Sequence, residues 1–255
     1  MTARLVTVLL GCLTLGACQA GPLDAVTLDP ASLTTGLVAH WSFDEGTGTV
    51  VLDQSRNGHD GQLAGAAWSP DGRFGGALEL SEGAFVTVPD FPQATEGWTV
   101  SLWIRMSAEQ LALGKAKNDW LTIISTEIAF AGGWQLHVDN RTGFDRFDVA
   151  YWAGSTVNDY VVASCKCIDV DKWVHLTAVF DGTAGEVIFY RDDAPIDRRP
   201  MPMPILPGDP TLYIGTWNMK NRYLTAGVDD VAIWSRALDR GELGVLSQQA
   251  APTPP

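Results

Sequence analysis

Short stretches in which apolar and polar residues alternate recur between residues 36 and 248, and this period-two pattern predicts β-strands. In the first stretch, 37–43, the odd-numbered residues are apolar and share one face, whereas His40 and Ser42 lie on the other. Clusters of Gly, Asp, Asn and Pro separate the stretches, as turns do. One short helix is predicted, within 238–249. Such a pattern is typical of an all-β sandwich or barrel, and we favour the two-sheet antiparallel sandwich.

Both ends of the chain lack this alternation. Residues 1–17 combine Arg4 with an apolar run that is too short to cross a bilayer as a helix, as in an export signal peptide. Residues 18–35 are small, polar and Pro-containing, which predicts a flexible tether. Residues 249–255 are rich in Pro and Ala, which predicts a disordered tail. A single domain over 36–248 remains.

The signal peptide ends in Leu15-Gly16-Ala17-Cys18, which resembles the lipobox of bacterial lipoproteins. The resemblance implies that Cys18 is lipidated and becomes the new N-terminus. The alternative is ordinary cleavage after a small residue, with Cys18 incidental. Gln19, rather than Asp, follows the cysteine. By resemblance to Gram-negative lipoproteins, this implies an exported protein at the outer membrane or cell surface, held to the membrane by its lipid anchor only.

The net charge of the chain bears on whether it binds nucleic acid. The chain carries 30 acidic and 17 basic side chains, which gives a formal net charge of −13 at pH 7. Because an acidic surface repels a phosphate backbone, we expect no nucleic-acid partner. The four histidines are scattered along the sequence and lack the close spacing of a zinc site.

Six segments together carry a resemblance to a known family. In chain order they are GLVAHWSFDEGTGTVVLDQSRNGHDGQL, DGRFGGALELSEGAFVTVPD, WTVSLWIR, KWVHLTAVFDG, LYIG and GVDDVAIWSRALDRGEL. This ordered set resembles the laminin G-like domains of the concanavalin A-like lectin/glucanase superfamily over residues 36–246. The resemblance implies a jelly roll of two antiparallel sheets, one of them concave. The Pro-rich stretch FYRDDAPIDRRPMPMPILPGDP and the stretch SCKCIDVD depart from the family pattern, and loops of this kind often carry differences in recognition.

Acidic residues near both ends of the domain suggest a cation site. Asp44 follows the first strand and Asp229 lies in the last, and in a jelly roll these two strands are often neighbours. Calcium takes oxygen ligands from loops, and many relatives of this fold hold a structural calcium. We therefore expect calcium at Asp44 and Asp229, with Asp53 and Asn57 as weaker candidate ligands. The alternative is that Asp44 and Asp53 cap turns and that Asp229 pairs with an arginine such as Arg56 or Arg73.

Tryptophans near strand ends are candidate sugar platforms. The chain has 10 Trp, and four of them lie near strand ends or beside Gly-rich turns: Trp120, Trp134, Trp152 and Trp217. Trp134, Trp152 and Trp217 are the candidate ligand contacts. An exposed indole offers a flat apolar face to the C–H face of a sugar ring. Tyr151 and Trp152 are adjacent, so on a strand they point to opposite sides and at most one can line a groove.

Cys165 and Cys167 meet an oxidising compartment after export. A C-x-C disulfide closes a very tight loop and needs a local turn, which the surrounding segment can supply. We favour a disulfide between them over free thiols or a metal-binding pair.

Catalytic patterns are not found in the sequence. Glucanases of this superfamily carry three alternating carboxylates on one strand face, whereas DVDKW and VDDVAIW supply two acids each. Neither G-x-S-x-G nor H-E-x-x-H occurs. We therefore predict a non-catalytic, lectin-like surface module that binds a glycan with a structural calcium. The alternative is an adhesion or assembly module that binds a surface or extracellular protein through its loops.

Replacing the lipobox cysteine tests the proposed anchor. Cys18→Ala removes the thiol that would carry the lipid, so the protein should leave the membrane fraction or accumulate unprocessed. Fractionation followed by mass measurement of the N-terminus distinguishes these outcomes. A variant that stays in the membrane fraction and is processed as before would contradict lipidation at Cys18.

Overall fold

The computed structural model of this protein describes residues 30–93, 96–110, 112, 120–127, 132–139, 146–152, 158–162, 167–201 and 205–254. Two antiparallel β-sheets make up most of this part of the chain. The prediction of an all-β, two-sheet antiparallel sandwich is therefore confirmed. No helix in the described residues is long and apolar enough to cross a membrane.

Sixteen strands are present in the described part of the chain. In chain order they are β1 (Leu37–Trp41), β2 (Val50–Val51), β3 (Gly61–Ala64), β4 (Ala67–Ser69), β5 (Ala77–Leu80), β6 (Phe85–Val88), β7 (Gly97–Arg105), β8 (Leu121–Ser125), β9 (Trp134–Asp139), β10 (Arg146–Trp152), β11 (Asn158–Val162), β12 (Trp173–Asp181), β13 (Glu186–Arg191), β14 (Ala194–Pro200), β15 (Leu212–Ile214) and β16 (Ala226–Trp234). A 3-10 helix, Pro30–Thr34, precedes β1, and a helix that we call α1, Arg240–Leu246, follows β16. Sheet A has the order β14-β13-β12-β7-β16-β5-β4, with β1 also paired to β16. Sheet B has the order β11-β10-β9-β8-β15-β6-β3-β2.

The last strand, β16, changes its neighbour part-way along its length. Residues 226–228 pair with β5, whereas residues 231–234 pair with β1. On its other side β16 pairs with β7 along both parts, with a register shift between Asp229 and Ala232. Because β1 and β5 both run antiparallel to β16, the end of β1 and the start of β5 meet beside the shift. The expectation that the first and last strands are neighbours is confirmed.

The core lies between the two sheets, where each strand places its apolar face. Along β7 the even-numbered residues from Trp98 to Ile104 are buried in this core, and the odd-numbered residues lie on the outer face. Along β9 the same alternation places Trp134 in the core and Gln135 outside it. Each fully buried large apolar side chain contributes about 1.5–3 kcal/mol relative to exposure, so this alternation supplies most of the driving force for folding.

A second apolar cluster covers part of the outer face of sheet A. It joins Leu33 of the 3-10 helix, Trp234 of β16, Leu243 of α1 and Ala251 near the C-terminus. The indole Nε1 of Trp234 donates to the carbonyl oxygen of Leu33 at 2.6 Å. The helix α1 begins with a capping box, in which the side chains of Asp239 and its third following residue each accept the other's backbone N–H.

Two predicted boundaries are corrected by this cluster. Leu33 is 1% exposed, so the tether predicted for 18–35 gives way to packed structure at its C-terminal end, while residues 1–29 lie outside the described residues. Ala251 is 5% exposed and its N–H donates to Asp230 Oδ2 at 2.9 Å. The disorder predicted for 249–255 is therefore wrong at this position, because apolar burial and a buried hydrogen bond hold the segment.

The long Pro-rich stretch forms structure along the edge of sheet A. After β13 the chain turns back as β14, which pairs with β13 and forms the edge of the sheet, where proline is tolerated. Further along, the carbonyl oxygen of Leu206 accepts from Gly133 N–H, and Asp209 N–H donates to the carbonyl oxygen of Thr126. The described part of this stretch therefore packs against sheet edges and strand ends.

Core truncation should separate buried from exposed apolar residues. Trp134→Ala removes an indole that is 1% exposed, and its loss should lower the free energy of unfolding by about 3–5 kcal/mol. Leu52→Ala, at a side chain that is 46% exposed, serves as the control and should change it by less than about 0.5 kcal/mol. Chemical denaturation of both variants measures the difference; equal effects would contradict the described core.

Candidate functional site

Aromatic side chains at the outer face of sheet B form a column around an arginine. Trp120, which directly precedes β8, stacks on His137 of β9 with ring centroids 4.7 Å apart and an interplanar angle of 17°. The guanidinium carbon of Arg222 lies 4.4 Å from the ring centroid of Trp120 and 4.3 Å from that of Trp217. The column therefore runs His137, Trp120, Arg222, Trp217. Contacts with two indole rings hold the guanidinium in place.

The segment 215–224, between β15 and β16, presents this arginine. Arg222 and Met219 have φ values of 55° and 62°, in the left-handed region that side chains other than glycine rarely adopt. Hydrogen bonds hold this conformation: Thr122 N–H donates to the carbonyl oxygen of Arg222 at 2.9 Å, and the hydroxyl of Tyr223 donates to that of Met219 at 2.6 Å. Strained backbone of this kind often occurs at binding sites.

A pocket of about 170 Å³ opens beside the column. Its lining residues come from the β5–β6 turn, the start of β8 and the segment before β16: Glu82, Trp120, Leu121, Lys220, Asn221, Arg222 and Tyr223. The side chains of Glu82, Lys220 and Asn221 are exposed to solvent. Together they offer an anionic acceptor, a cationic donor and an amide that can do both. We call this the Arg222 pocket.

Strand β9 continues the polar character of this face. Gln135 and His137 alternate with core residues along the strand, and both are buried. Thr122 Oγ1 donates to Gln135 Oε1 at 3.3 Å. Across to β10, Trp134 pairs with Tyr151 and Gln135 pairs with Ala150. The outer face of sheet B is thus polar where it adjoins the Arg222 pocket.

A second constellation occupies the junction of β1, β5 and β16. Asp229 Oδ2 accepts from the N–H groups of Arg73 and Phe74 at 2.6 and 2.9 Å. Asp44 Oδ1 accepts from the N–H of Gly76 at 2.6 Å. Both carboxylates therefore hold the same turn, the one that precedes β5. The structure thus brings the two acids to one turn, as the neighbouring first and last strands require.

The carboxyl group of Asp229 is fully buried and has a raised pKa. The side chain is 0% exposed, and no described group donates a hydrogen bond to its Oδ1. Burial raises the pKa of this carboxyl to about 7, against the lowering effect of the N–H groups that it accepts. Phe43 and Asp230, which adjoin Asp44 and Asp229 in sequence, have φ values of 56° and 48°. The junction therefore combines a costly buried oxygen with strained backbone.

The other two predicted calcium ligands stabilise turns. Asp53 Oδ1 accepts from the N–H groups of His40 and Ser55, and its Oδ2 accepts from the N–H of His59, all within 3.0 Å. The side-chain amide nitrogen of Asn57 donates to carbonyl oxygens of β1. Donor N–H groups already surround Asp53, and Asn57 uses its nitrogen rather than its oxygen. The contact between Asp53 and Ser55 is that of an Asx-type turn, the alternative that the sequence allowed, whereas Asn57 ties the segment to the distant strand β1.

The structure corrects two of the three predicted sugar platforms. Trp134 is 1% exposed and packs against Trp98 and Phe180, because its position on β9 faces the core. Trp217 is 8% exposed, and Arg222 covers a face of its ring. Neither indole offers a free face to a sugar. Trp152 ends β10, whose backbone alone is described, so its role stays a prediction.

The predicted covalent sites lie at the edge of the described chain or beyond it. Cys167 is buried with 0% exposure. Its proposed disulfide partner Cys165 and the lipobox residue Cys18 fall outside the described residues. The disulfide and the lipid anchor both stay predictions.

Sequence reasoning missed the central residues of the Arg222 pocket. Arg222 and Tyr223 lie in a segment that reads as an ordinary polar turn. The position of Trp120 near a strand end suggests a platform, but nothing in the sequence indicates its contact with Arg222. One usable signal was present in β9, where Gln135 and His137 alternate with apolar residues and so mark a polar outer face. Three segments that are distant in sequence pack around the guanidinium of Arg222, and no local sequence pattern indicates this packing.

Comparison with solved structures agrees with the described fold. The binding domain of Paraclostridial Mosquitocidal Protein 1 has a TM-score of 0.67 at 16% identity, over 84% of this chain and 52% of that one. The botulinum neurotoxin serotype D binding domain has a TM-score of 0.65 at 14% identity, over 86% and 52%. A serotype D ligand binding domain in complex with N-acetylneuraminic acid has a TM-score of 0.61 at 15% identity, over 86% and 52%. At these identities the likeness shows the fold, and the chain spans about half the length of these structures.

Sequence comparison supplies the family. No curated protein sequence matches the chain. A laminin G-like family model, described as the concanavalin A-like lectin/glucanases superfamily, matches residues 80–244. These residues begin in β5 and end within α1, so the match covers most of both sheets. The jelly-roll fold predicted from the sequence is confirmed, and the chain belongs to the concanavalin A-like lectin/glucanase superfamily.

Proposed function

We propose that this chain is a non-catalytic carbohydrate-binding module and that its ligand occupies the Arg222 pocket. The observation that carries the proposal is the pocket itself, where a conformationally fixed guanidinium lies among exposed polar side chains. Two further facts support it. The superfamily includes lectins, and one solved structure with a similar fold contains N-acetylneuraminic acid.

The chemistry of the lining suits sugar hydroxyls. Each hydroxyl both donates and accepts, and the exposed side chains of Glu82, Lys220 and Asn221 provide both kinds of partner. Leu121 and the ring edge of Trp120 add apolar contact. Because ring faces in the column are covered by its other members, binding depends on hydrogen bonds more than on stacking.

The lining also supports a binding role over hydrolysis. Glycosidases of the common kinds need two carboxyl groups that flank the scissile bond. Among the described residues that line the Arg222 pocket, Glu82 is the only carboxylate. One carboxylate can orient a hydroxyl, but it cannot supply both catalytic functions.

A buried Ser–His pair on sheet A does not suit catalysis. Ser101 Oγ and His175 Nε2 are 2.7 Å apart, a distance found between a nucleophile and its base. The two side chains are 3% and 1% exposed, and the ring of Trp103 packs against the imidazole. Burial lowers the pKa of His175 to about 3, which makes it a weak proton acceptor. We therefore assign the pair to packing.

We further propose a structural calcium at the junction of β1, β5 and β16. Asp229 Oδ1 is a buried carboxylate oxygen without a described donor, and Asp44 is held by the same turn. Hard oxygen atoms are the ligands that calcium takes, and backbone carbonyls and water commonly complete its shell. Among the described residues no three His, Cys, Asp or Glu side chains gather around one point, so such a shell depends on carbonyls and water.

We also propose that the module is exported and lipid-anchored through Cys18. The support is the sequence of residues 1–18, which combines a short apolar run with a lipobox-like end. A surface location suits a glycan-binding module, because its ligand is then outside the cell.

Glycan binding can be tested with a side chain that the fold does not need. Asn221→Ala removes an exposed amide from the Arg222 pocket and should weaken binding about three- to tenfold, the loss of one or two hydrogen bonds. The melting temperature should stay nearly unchanged. Gln248→Ala, at an exposed position outside the pocket, is the matched control and should bind like the wild type. A glycan array on the purified protein identifies the probe, and titration measures its affinity.

The result also decides between the two functional classes. If the wild type binds no glycan on the array, carbohydrate binding is contradicted and the adhesion alternative, a protein partner bound through the loops, takes its place. If Asn221→Ala binds the array ligand as tightly as the wild type, the Arg222 pocket is not the site.

The pKa of Asp229 makes stability depend on pH and calcium. The pKa of about 7 in the folded state exceeds the ordinary aspartate pKa of 3.8, so between these pH values the folded state holds a proton that the unfolded state has released. Without calcium, stability should therefore fall by up to roughly 4 kcal/mol as pH rises from about 4 to 7. The side chain in Asp229→Asn cannot titrate. The free energy of unfolding of the wild type, measured relative to this variant, should therefore fall as the pH rises from about 4 to 7.

Calcium should reverse this trend because it binds the ionised carboxylate. At a hundred times its dissociation constant it stabilises by roughly 2.7 kcal/mol, and the gain should be larger at pH 7.5 than at pH 5. Melting curves with calcium or chelator, at both pH values, measure the effect. If the melting temperature of the wild type at pH 7.5 is the same with calcium and with chelator, the proposed calcium site is wrong. The pH dependence of the calcium-free protein tests the pKa of Asp229 separately.

A further inference from the structure

We infer that Asn57 is a site of deamidation and that this covalent change uncovers the free edge of strand β1. The described lining of the Arg222 pocket does not include Asn57, so the modification is a property separate from glycan binding. Three features carry the inference: the segment beside β1, the hydrogen bonds of Asn57 and the backbone of Gly58.

Segment 53–57 occupies the place of a neighbouring strand beside β1. In the described residues β1 pairs with β16 alone, so its other edge has no strand partner. There the N–H of His40 donates to Asp53 Oδ1 at 3.0 Å, and the hydroxyl of Ser55 donates to the carbonyl oxygen of Val38 at 3.0 Å. Backbone groups at a sheet edge need such partners when they are removed from water. We call residues 53–57 the β1 cover.

Asn57 ends the β1 cover and connects it to the strand. Its side-chain nitrogen Nδ2 donates to the carbonyl oxygens of Leu37 and Val38, both at 2.9 Å. Its backbone N–H donates to Ser55 Oγ at 3.3 Å. A carboxylate at position 57 has no N–H and would bring an anionic oxygen to two carbonyl oxygens. Conversion of this amide to a carboxylate would therefore remove two hydrogen bonds and put repulsion in their place.

Gly58 makes this conversion possible. Of the asparagines in the sequence, Asn57 alone precedes a glycine. Gly58 has a φ of 85°, and the space that a Cβ would occupy there is open. Within the described residues its N–H donates to no backbone acceptor. Neither a side chain nor a backbone hydrogen bond therefore keeps the nitrogen of Gly58 from the side-chain carbon Cγ of Asn57.

The reaction needs water and no other reactant. The backbone nitrogen of Gly58 loses its proton to the solvent and attacks Cγ of Asn57, which forms a new C–N bond. The bond from Cγ to Nδ2 then breaks, and this nitrogen takes up a proton and leaves as ammonia. A water molecule next adds to a carbonyl carbon of the succinimide ring, and the ring C–N bond breaks. The product is aspartate or isoaspartate, whose carboxyl group is ionised at neutral pH.

Local opening of the β1 cover controls the reaction. The side chain of Asn57 must leave the carbonyl oxygens of β1 before Cγ can meet the nitrogen of Gly58. Arg56, Asn57 and Gly58 are all exposed, and Arg56 has a φ of 66° in the left-handed region. Exposed and strained backbone of this kind opens more readily than a core strand. Because the product cannot form the two hydrogen bonds again, the opening becomes permanent.

Peptide mapping of aged protein tests the modification itself. The purified protein is kept for days in mildly alkaline buffer, which favours loss of the Gly58 amide proton. The peptide that contains Asn57 should gain about one dalton, several-fold faster than the peptides that contain Asn218 and Asn221, because side chains follow those two residues. Ser55→Ala removes a hydroxyl that holds the β1 cover and should raise the rate at Asn57 several-fold. Equal rates at the three asparagines would overturn the assignment of Asn57.

The consequence for β1 is tested with a mimic of the product. Asn57→Asp should lower the melting temperature by about 4–8 °C, the effect of two lost hydrogen bonds. It should also speed hydrogen exchange at the N–H of His40 several-fold, because the β1 cover protects that group. Gln62→Glu makes the same chemical change at an exposed side chain of β3 and is the matched control, so both measurements should stay as in the wild type.

Deamidated wild type gives a second measurement that does not depend on a variant. Anion exchange separates it by its added negative charge, and its melting temperature and His40 exchange should match those of Asn57→Asp. If the deamidated protein and Asn57→Asp both melt and exchange like the unmodified wild type, Asn57 does not hold the β1 cover and the second part of the inference is overturned.

Discussion

Two adjacent buried carboxylates hold the fold together at the point where β16 exchanges one neighbour for another. Asp229 accepts the N–H groups of the turn before β5, and Asp230 hydrogen-bonds His40 of β1 and the N–H of Ala251. Between the end of β1 and the start of β5 no strand pairs with this side of β16, so side chains must satisfy backbone groups there. Loss of either carboxylate would leave several buried donors without an acceptor, each at a cost of about 1–3 kcal/mol. The dipeptide Asp229-Asp230 therefore holds strand β1, the segment at Ala251 and the turn before β5 in place in sheet A.

This arrangement gives the two outer faces of the sandwich different roles. On sheet A the 3-10 helix, α1 and the segment at Ala251 build a second apolar cluster over the strands. On sheet B the outer face around β9 stays polar, with Gln135 and His137 among its side chains. Both of these side chains are buried, so the accessible polar groups on this side are those that line the Arg222 pocket. The apolar cluster under a helix serves stability. The candidate ligand site consequently lies on the sheet opposite the one that gathers both ends of the described chain.

Within that site the aromatic residues act as supports. Trp120 and Trp217 place their ring faces against Arg222, and His137 stacks behind Trp120. The cation is thereby oriented before any ligand arrives, which reduces the conformational entropy lost on binding. A left-handed backbone at Arg222, held by a hydrogen bond from Thr122, belongs to the same preorganisation. The number and positions of the tryptophans suggested sugar platforms. The contacts show instead that Trp120 and Trp217 pack against the guanidinium of Arg222.

The sequence by itself determined the fold class, because period-two alternation and turn residues are local signals that each strand carries independently. It also determined that Asp44 and Asp229 lie close together, because Asp44 follows the first strand and Asp229 lies in the last, and a jelly roll can pair these two strands. The alternation in β9 places Trp134 on the same face as Leu136 and Val138, and only the tertiary structure shows that this face is packed between the two sheets and is not an open groove. Only the tertiary structure could assemble the Arg222 pocket, whose lining joins Glu82, Trp120 and residues 220–223 from three separate parts of the chain. Contacts between distant segments depend on how whole sheets pack, and no local pattern in the sequence encodes them.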